Sequence, residues 1–224
     1  MKFRHEWKHE INYSDFLVLR QRLRAVAKPD VHAQPDGSYL VRSLYFDNLS
    51  DQALREKIDG VNRREKFRIR YYNDDISHIQ LEKKSKYNGL CSKEAVTVSE
   101  ETVRRILKGD NGALLESGQE LEAELYSKML SKGLLPKTIV EYMRMPFVFA
   151  PGNVRITLDY QIRTGICCRD FLNMESVTIE AAFSPVILEV KWDEFLPDII
   201  RDAIWLPGRR ACAFSKYAAC RSYG

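Results

Sequence analysis

Charged side chains alternate with apolar ones in run after run of this chain, and few folds can accommodate that pattern. Side chains of an extended strand point to opposite faces in turn, so residues two apart share a face. Lys66, Arg68 and Arg70 fall on one face, with Phe67, Ile69 and Tyr71 on the other. Near the start, Arg4, Glu6, Lys8 and Glu10 share a face. Gln80, Glu82 and Lys84 oppose Ile79 and Leu81, and Arg155, Thr157 and Asp159 oppose Val154, Ile156 and Leu158. Glu189 and Lys191 oppose Leu188 and Val190. Arg and Lys are not favoured in strands, and a solvated strand face would more naturally carry Thr or Tyr. One arrangement accounts for the whole set. The apolar face of a sheet is covered by helices, and its ionic face lines a wet interior.

Turn chemistry and periodicity divide the chain accordingly. The spacing predicts strands over 2–12, 39–47, 64–72, 76–86, 90–98, 137–150, 154–164, 176–182 and 186–192. Asn73-Asp74-Asp75 and Tyr87-Asn88-Gly89 suit tight hairpins. Ser14 is expected to cap a helix carrying the stripe Phe16, Leu19, Leu23 and Val26. Ser50 is expected to cap a short helix that Gly60 ends, and Ser99 one that ends at Gly109. A further helix is expected over 119–132, and the C-terminal part reads as helical, with Pro197 at a helix start and Ser215 capping the last turn. Helices interrupt the strands rather than alternating with them, which disfavours a doubly wound parallel sheet. The expected fold is α+β, a closed antiparallel β-barrel with covering helices, forming a single domain over 1–224.

Several functional classes fall away. A net charge of +4 over 224 residues does not describe a protein that coats nucleic acid. Arg63-Arg64 and Arg209-Arg210 read as solvated loops, so no nucleic-acid partner is expected. There is no phosphate-binding G-x-x-x-x-G-K-[ST] loop and no G-x-S-x-G elbow. His5, His9, His32 and His78 form no metal-binding pair on a helix. The cysteines, Cys91, Cys167, Cys168, Cys212 and Cys220, are odd in number and lack a C-x-x-C pair, which fits reduced thiols. No apolar run is long enough to span a membrane, and the opening MKFRHEWKHE lacks the apolar core of a signal peptide. The expectation is a soluble cytoplasmic protein. An interior with many cations and a few carboxylates suits a polyanion together with a metal. Lys and Arg bind phosphate oxygens, Arg in a bidentate way, and carboxylates hold Mg²⁺ or Mn²⁺.

A set of short motifs then resembles a known family. These are H-E-W-K (5–8), Y-F-D (45–47), F-R-I-R-Y-Y (67–72), L-E-K-K-S-K (81–86), Y-M-R-M-P-F (142–147), R-I-T-L-D (155–159), I-L-E-V-K-W (187–192) and S-K-Y (215–217). Together, in this order and over nearly the whole chain, they resemble the VTC domain, named for the vacuolar transporter chaperone complex. That family belongs to the triphosphate tunnel metalloenzymes, related to the CYTH phosphatases. The resemblance implies an antiparallel tunnel and a polymerase that builds inorganic polyphosphate from the γ-phosphate of ATP. It implies that Lys8, Arg68, Arg70, Lys84, Lys93, Arg144, Arg155, Lys191 and Lys216 hold phosphates. Arg68, Arg70, Lys84, Arg144 and Glu189 would be catalytic, with Glu189 the leading ligand of Mn²⁺ or Mg²⁺ and Glu6, Glu82 and Asp159 as further carboxylates for the metal or for orienting the cations.

The chain departs from the family in two respects. It contains neither the phosphate-sensing SPX domain nor the membrane helices of the eukaryotic proteins, so any membrane-protein partner is not visible in it. Most CYTH hydrolases open with E-x-E-x-K, and here Arg4-x-Glu6-x-Lys8 has one carboxylate fewer, which favours polymerisation over hydrolysis. The expected partners are ATP or another triphosphate and inorganic polyphosphate. A triphosphatase is the second reading, and a non-catalytic polyphosphate-binding module the third.

Overall fold

A computed structural model describes residues 4–87, 90–181 and 185–221. Its elements in chain order are β1 (His5–Ile11), α1 (Tyr13–Val26), the two-residue β2 (Lys28–Pro29), β3 (Tyr39–Asp47), α2 (Gln52–Ile58), β4 (Arg63–Tyr72), β5 (Asp75–Tyr87) and β6 (Leu90–Val98). There follow α3 (Glu100–Leu107), α4 (Glu120–Lys132), β7 (Leu135–Phe149), β8 (Val154–Gly165), β9 (Thr178–Glu180), β10 (Val186–Trp192), α5 (Asp198–Ile204) and α6 (Lys216–Cys220). The expected strand residues 2 and 3, the turn residues Asn88 and Gly89 and the expected strand end at Ala182 lie outside the described residues.

One antiparallel sheet runs β1-β10-β8-β7-β3-β4-β5-β6, with β2 on β7 and β9 on β8. Its outer face carries two apolar clusters, each sealed by helices. Ile156, Leu158, Leu188 and Val190 pack with Phe16, Leu19 and Leu23 of α1 and Ile200 and Ala203 of α5. Phe67, Ile69 and Leu81 pack with Val103 and Ile106 of α3 and Leu121, Leu125 and Met129 of α4. The alternation in the sequence is thus realised as expected, with apolar positions beneath helices. Fully burying such a side chain contributes about 1.5–3 kcal/mol. These clusters, rather than strand propensity, hold the sheet in register.

The opposite face is concave. β1 stands first in the strand order and β5 seventh, yet Glu6 of β1 and Lys84 of β5 meet through an ion pair of 3.2 Å. Side chains from strands so far apart can touch only if the sheet curls towards that face. The curl does not close by strand pairing, which differs from the expected closed barrel. Among the described residues β1 pairs only β10, and β6 pairs only β5. The free edge of β1 is taken by the segment before α6, through the bridge His9↔Ala211 and a bond of 2.8 Å from the Cys212 N–H to the Lys8 carbonyl. That edge is therefore not available to β6, and the fold is a curled half-barrel.

Two helix starts also differ from the sequence reading. Asn12, not Ser14, caps α1, accepting from the Asp15 N–H while Asp15 accepts from Asn12 in a reciprocal box. Ser50 does not cap α2. The first amides of that helix point at Asn48 and Asp47, which accept from Gln52 and from Ala53 and Leu54 respectively. Ser99 and Ser215 cap as expected.

Candidate active site on the concave ionic face

The concave face is built by register. Lys8 stands opposite Glu189, Glu6 opposite Lys191, and Arg155 opposite Lys191 on the other side. Asp159 stands opposite Arg144, which faces Tyr39 across the next strand. Tyr45 faces Arg68, Arg68 faces Glu82, and Lys84 faces Lys93. Antiparallel partners project to the same face, so the ionic residues of separate runs collect there.

On the side made by β1, β10, β8 and β7, acids and bases interlock. Lys8 Nζ lies 2.7 Å from Glu6 and 3.9 Å from Glu189. Lys191 also contacts Glu189. Asp159 is fully buried, chelated by Arg144 at 2.6 and 2.8 Å and by Lys216 of α6 at 2.5 Å. Burial alone would raise the Glu6 carboxyl, but Lys8, Lys84 and Lys191 outweigh it and hold it down at about 2. Burial also works against the ionised forms of Glu189 and Asp159. Lys191, Lys8, Arg144 and Lys216 overcome it at Glu189 and hold that carboxyl well below the ordinary range, and Arg144 and Lys216 lower the Asp159 carboxyl. Arg144 is held correspondingly high by Asp159 against its own burial.

On the side made by β4, β5 and β6, one carboxylate serves several cations. Glu82 is 1% exposed and lies 2.5 Å from both Arg68 and Lys93, with Arg70 at 3.9 Å. Arg70 also donates to Ser43 at 2.9 Å and to Tyr142 at 3.3 Å. Burial opposes the charge on Glu82, but Arg68, Arg70 and Lys93 push its carboxyl far below the usual range. Among the described residues Lys66 has no carboxylate partner. Burial, with Lys84, Arg68 and Lys8 nearby, lowers its ammonium to about 8 even though Tyr45 favours the charge.

The structure thus gathers Glu6, Lys8, Arg68, Arg70, Glu82, Lys84, Lys93, Arg144, Asp159, Glu189, Lys191 and Lys216 on one face. Arg155 sits nearer the rim, where it is tied to Asp30 at 2.9 Å and to the Tyr39 hydroxyl at 3.1 Å. Arg4 leaves the set, pairing with Asp193 at 2.8 Å.

Tyr72, which the sequence offers as a tunnel-lining residue, lies under Arg70 at 5.8 Å, but the sequence reading missed two other tyrosines beneath the cations. Tyr45 lies under Lys66 and Arg68, with ring centroids 5.3 and 5.7 Å away. Tyr142 lies under Arg144 at 5.3 Å and Lys216 at 4.6 Å. Arg68 donates to the Tyr45 hydroxyl at 2.8 Å. Burial would raise the Tyr45 phenol, but Arg68, Lys66 and Arg70 bring it down to about 7. Tyr142 was within reach of the sequence, since its two-residue spacing from Arg144 puts both on one face. Tyr45 was not, because it lies on a strand without a charged alternation. With Tyr39, Val41, Val140, Ile162 and Ile187 these rings form an apolar patch on the concave face, covered by Tyr217 and Cys220 of α6. The interior is therefore part ionic and part aromatic, not ionic throughout.

The described residues contain no group of three or more His, Cys, Asp or Glu side chains that could hold a metal by themselves. The carboxylate oxygens of Glu189 and Glu6 are ionised hard donors on neighbouring strands, and Mg²⁺ commonly takes one or two carboxylates with the rest from phosphates and water. The residues therefore fit a divalent ion shared with a bound phosphate chain. A cavity of about 590 Å³ lined by Arg104, Lys108 and Arg169 lies on the outer face, apart from this site. Two of its cations stand at the C-terminal end of α3, where the helix dipole favours them without any ligand.

Residues 3–223 match the VTC domain family. No match was found among curated proteins. Among solved structures, a protein from Bacillus halodurans described as a candidate adenylate cyclase aligns at 16% identity and a TM-score of 0.54, over 85% of this chain and 80% of that one. A protein from Pyrococcus horikoshii aligns at 14% identity and a TM-score of 0.45, over 90% and 85%. A candidate adenylate cyclase from Vibrio parahaemolyticus aligns at 11% identity and a TM-score of 0.45, over 90% and 82%. The Bacillus likeness concerns the fold.

Proposed function

The chain belongs to the VTC domain family, and from that premise we propose that it is a metal-dependent polyphosphate polymerase, passing the γ-phosphate of ATP to a growing polyphosphate chain. The observation that carries this reading is the meeting of two differently charged sides across the Glu6–Lys84 pair. One side has carboxylates beside its cations, and the other is nearly all cation. A triphosphate laid between them would have its oxygens on Arg68, Arg70, Lys84, Lys93 and Lys66 on one side and on Lys8, Lys191, Arg144 and Lys216 on the other. Closure of the half-barrel into a tunnel belongs to the same proposal, with the polyanion bridging the two sides.

The chemistry needs no side-chain nucleophile. A terminal oxygen of polyphosphate attacks the γ-phosphorus, the bond from that phosphorus to the β–γ bridging oxygen breaks, and ADP leaves with that oxygen and its electron pair. The cations hold the acceptor, the transferring group and the leaving group in line and offset the charge spread over them. Asp159 and Glu82 fix the guanidinium planes of Arg144 and Arg68, so little reorganisation is needed as charge moves. Glu189, with Glu6 beside it, would hold Mn²⁺ or Mg²⁺, which supplies further charge neutralisation on the phosphate oxygens.

The test is purified protein with ATP and Mn²⁺, with products separated on a polyphosphate gel. A ladder of long chains with ADP is expected. Orthophosphate without chains would overturn polymerisation in favour of a triphosphatase. Tight triphosphate binding without turnover would make the chain a binding module. A cytoplasmic location is part of this proposal; among the described residues no helix is long and apolar enough to cross a membrane.

A further inference from the structure

The last helix is short and makes an unusual pair of connections. Lys216, its first residue, reaches Asp159 at 2.5 Å and stands over the Tyr142 ring at 4.6 Å. Tyr217, the next residue, is 2% exposed and points elsewhere. Its hydroxyl donates to Asp47 at 2.7 Å, and its ring stacks on Tyr45 at 5.1 Å with the planes 25° apart. Tyr45 in turn accepts from Arg68 on the other side of the site.

Asp47 is a hub with no exposed surface. Besides Tyr217 it accepts from the N–H groups of Asn48, Ala53 and Leu54 at 2.9, 2.9 and 3.1 Å. The two amides at positions 53 and 54 are the unpaired donors of the first turn of α2, so the carboxylate is fixed by backbone before Tyr217 reaches it. Burial, and the charge and bond of Asp47, push the Tyr217 phenol far up, so it remains a donor at any working pH. The end of the helix has anchors of its own. Arg221 reaches both Asp51 oxygens at 3.1 Å, and the Cys220 thiol donates to the Arg163 carbonyl at 3.5 Å.

We propose that Tyr217 is a positioning residue, whose bond to Asp47 and stack on Tyr45 set α6 so that Lys216 stays in the ionic site and is joined to the Arg68 side. This rests on the concave face being a triphosphate site. Tyr217 touches no phosphate on this account and acts through Lys216. A residue with only a structural role would weaken the protein equally whether or not Lys216 were present.

A double-mutant cycle separates the two. Inorganic triphosphate binding is measured by calorimetry on the wild type, Tyr217→Phe, Lys216→Ala and the double variant. Tyr217→Phe should weaken binding about tenfold with Lys216 present and less than about twofold in the Lys216→Ala background. Equal losses in the two backgrounds would overturn the proposal. Should Tyr217→Phe fail to fold, Asp47→Asn attacks the same bond from the other end and should show the same dependence on Lys216. A wild type that binds no triphosphate would sink the proposed function instead. The cycle is then read in urea unfolding, where identical costs of Tyr217→Phe with and without Lys216 would overturn the coupling.

Discussion

The two sides of the curl treat charge differently. On the β1, β10, β8 and β7 side, Glu6, Glu189 and Asp159 are interleaved with Lys8, Lys191, Arg144 and Lys216. On the β4, β5 and β6 side, Glu82 is the one carboxylate among the described residues that stands with Lys66, Arg68, Arg70, Lys84 and Lys93. Burying a charge without a partner is costly, so the first side is largely neutralised from within. The second leaves positive charge unmatched, which a polyanion would meet. Under the proposed function this contrast divides the labour, with phosphate affinity concentrated on the second side and metal placement on the first.

The strongest way to break this contrast is at Asp159. Its removal by Asp159→Ala leaves Arg144 and Lys216 buried without their carboxylate, and loss of one partner from such a pair costs about 3–5 kcal/mol. Urea unfolding should show a loss of that order, and a change near zero would mean the first side is not held by its carboxylates. On the second side, Arg68→Ala with Arg70→Ala should weaken triphosphate binding by roughly 2–5 kcal/mol. Because that double change leaves buried Glu82 with Lys93 as its ion-pair partner, it is best made with Glu82→Gln, so that calorimetry reads affinity rather than misfolding. Unchanged affinity in a folded triple variant would place the phosphates elsewhere.

Glu189→Gln sharpens the comparison from the metal side. Turnover should fall on the order of a hundredfold while triphosphate binding holds or tightens, since a repelling carboxylate is lost. Full activity with a lowered melting temperature would reduce Glu189 to an ion-pair partner of Lys191 and Lys8. The smallest effect concerns pH. Lys66 titrates near 8, so triphosphate affinity should decline severalfold as pH rises past about 8, and Lys66→Arg should flatten that decline. Stability should move the other way. Between about 7 and 10 for Tyr45, and about 8 and 10.5 for Lys66, the unfolded chain holds more protons than the folded one, so both groups add stability as pH rises. If affinity and melting temperature fell together over this range, Lys66 would not be the titrating group.

The face of each strand was legible because alternation is local. Arg68, Lys84, Arg155 and Lys191 needed only their neighbours in sequence to be assigned to the ionic side. Register was not legible. That Lys84 meets Glu6, or that Lys216 meets Asp159, depends on which strands lie side by side and on how far the sheet curls. Parity itself fails beyond Asp159. Two residues, Gln161 and Ile162, stand against one on β7 there, Gln161 takes the left-handed φ of 52°, and Ile162 returns to the concave face three positions later. The cap of α2 was missed for a similar reason. Ser50 has the right chemistry, but Asp47 and Asn48, at the end of a strand, reach the amides first. Closure was over-read because nothing local announces that residues 211–212 take the edge of β1.

The pairing of β1 with β10 has a kinetic consequence. His5 stands opposite Trp192, so the first strand finds its main-chain partner only when almost all of the intervening chain is in place. Contacts so distant in sequence must meet the loop-closure entropy before they return any stabilisation, which slows folding. The β3-β4-β5-β6 meander joins strands close in sequence, whereas Glu6 and Lys8 can meet Glu189 and Lys191 only once β10 is in place. Until then β1 carries unpaired backbone on both edges, and the acidic side of the site has Asp159 on the β7-β8 hairpin but not Glu6.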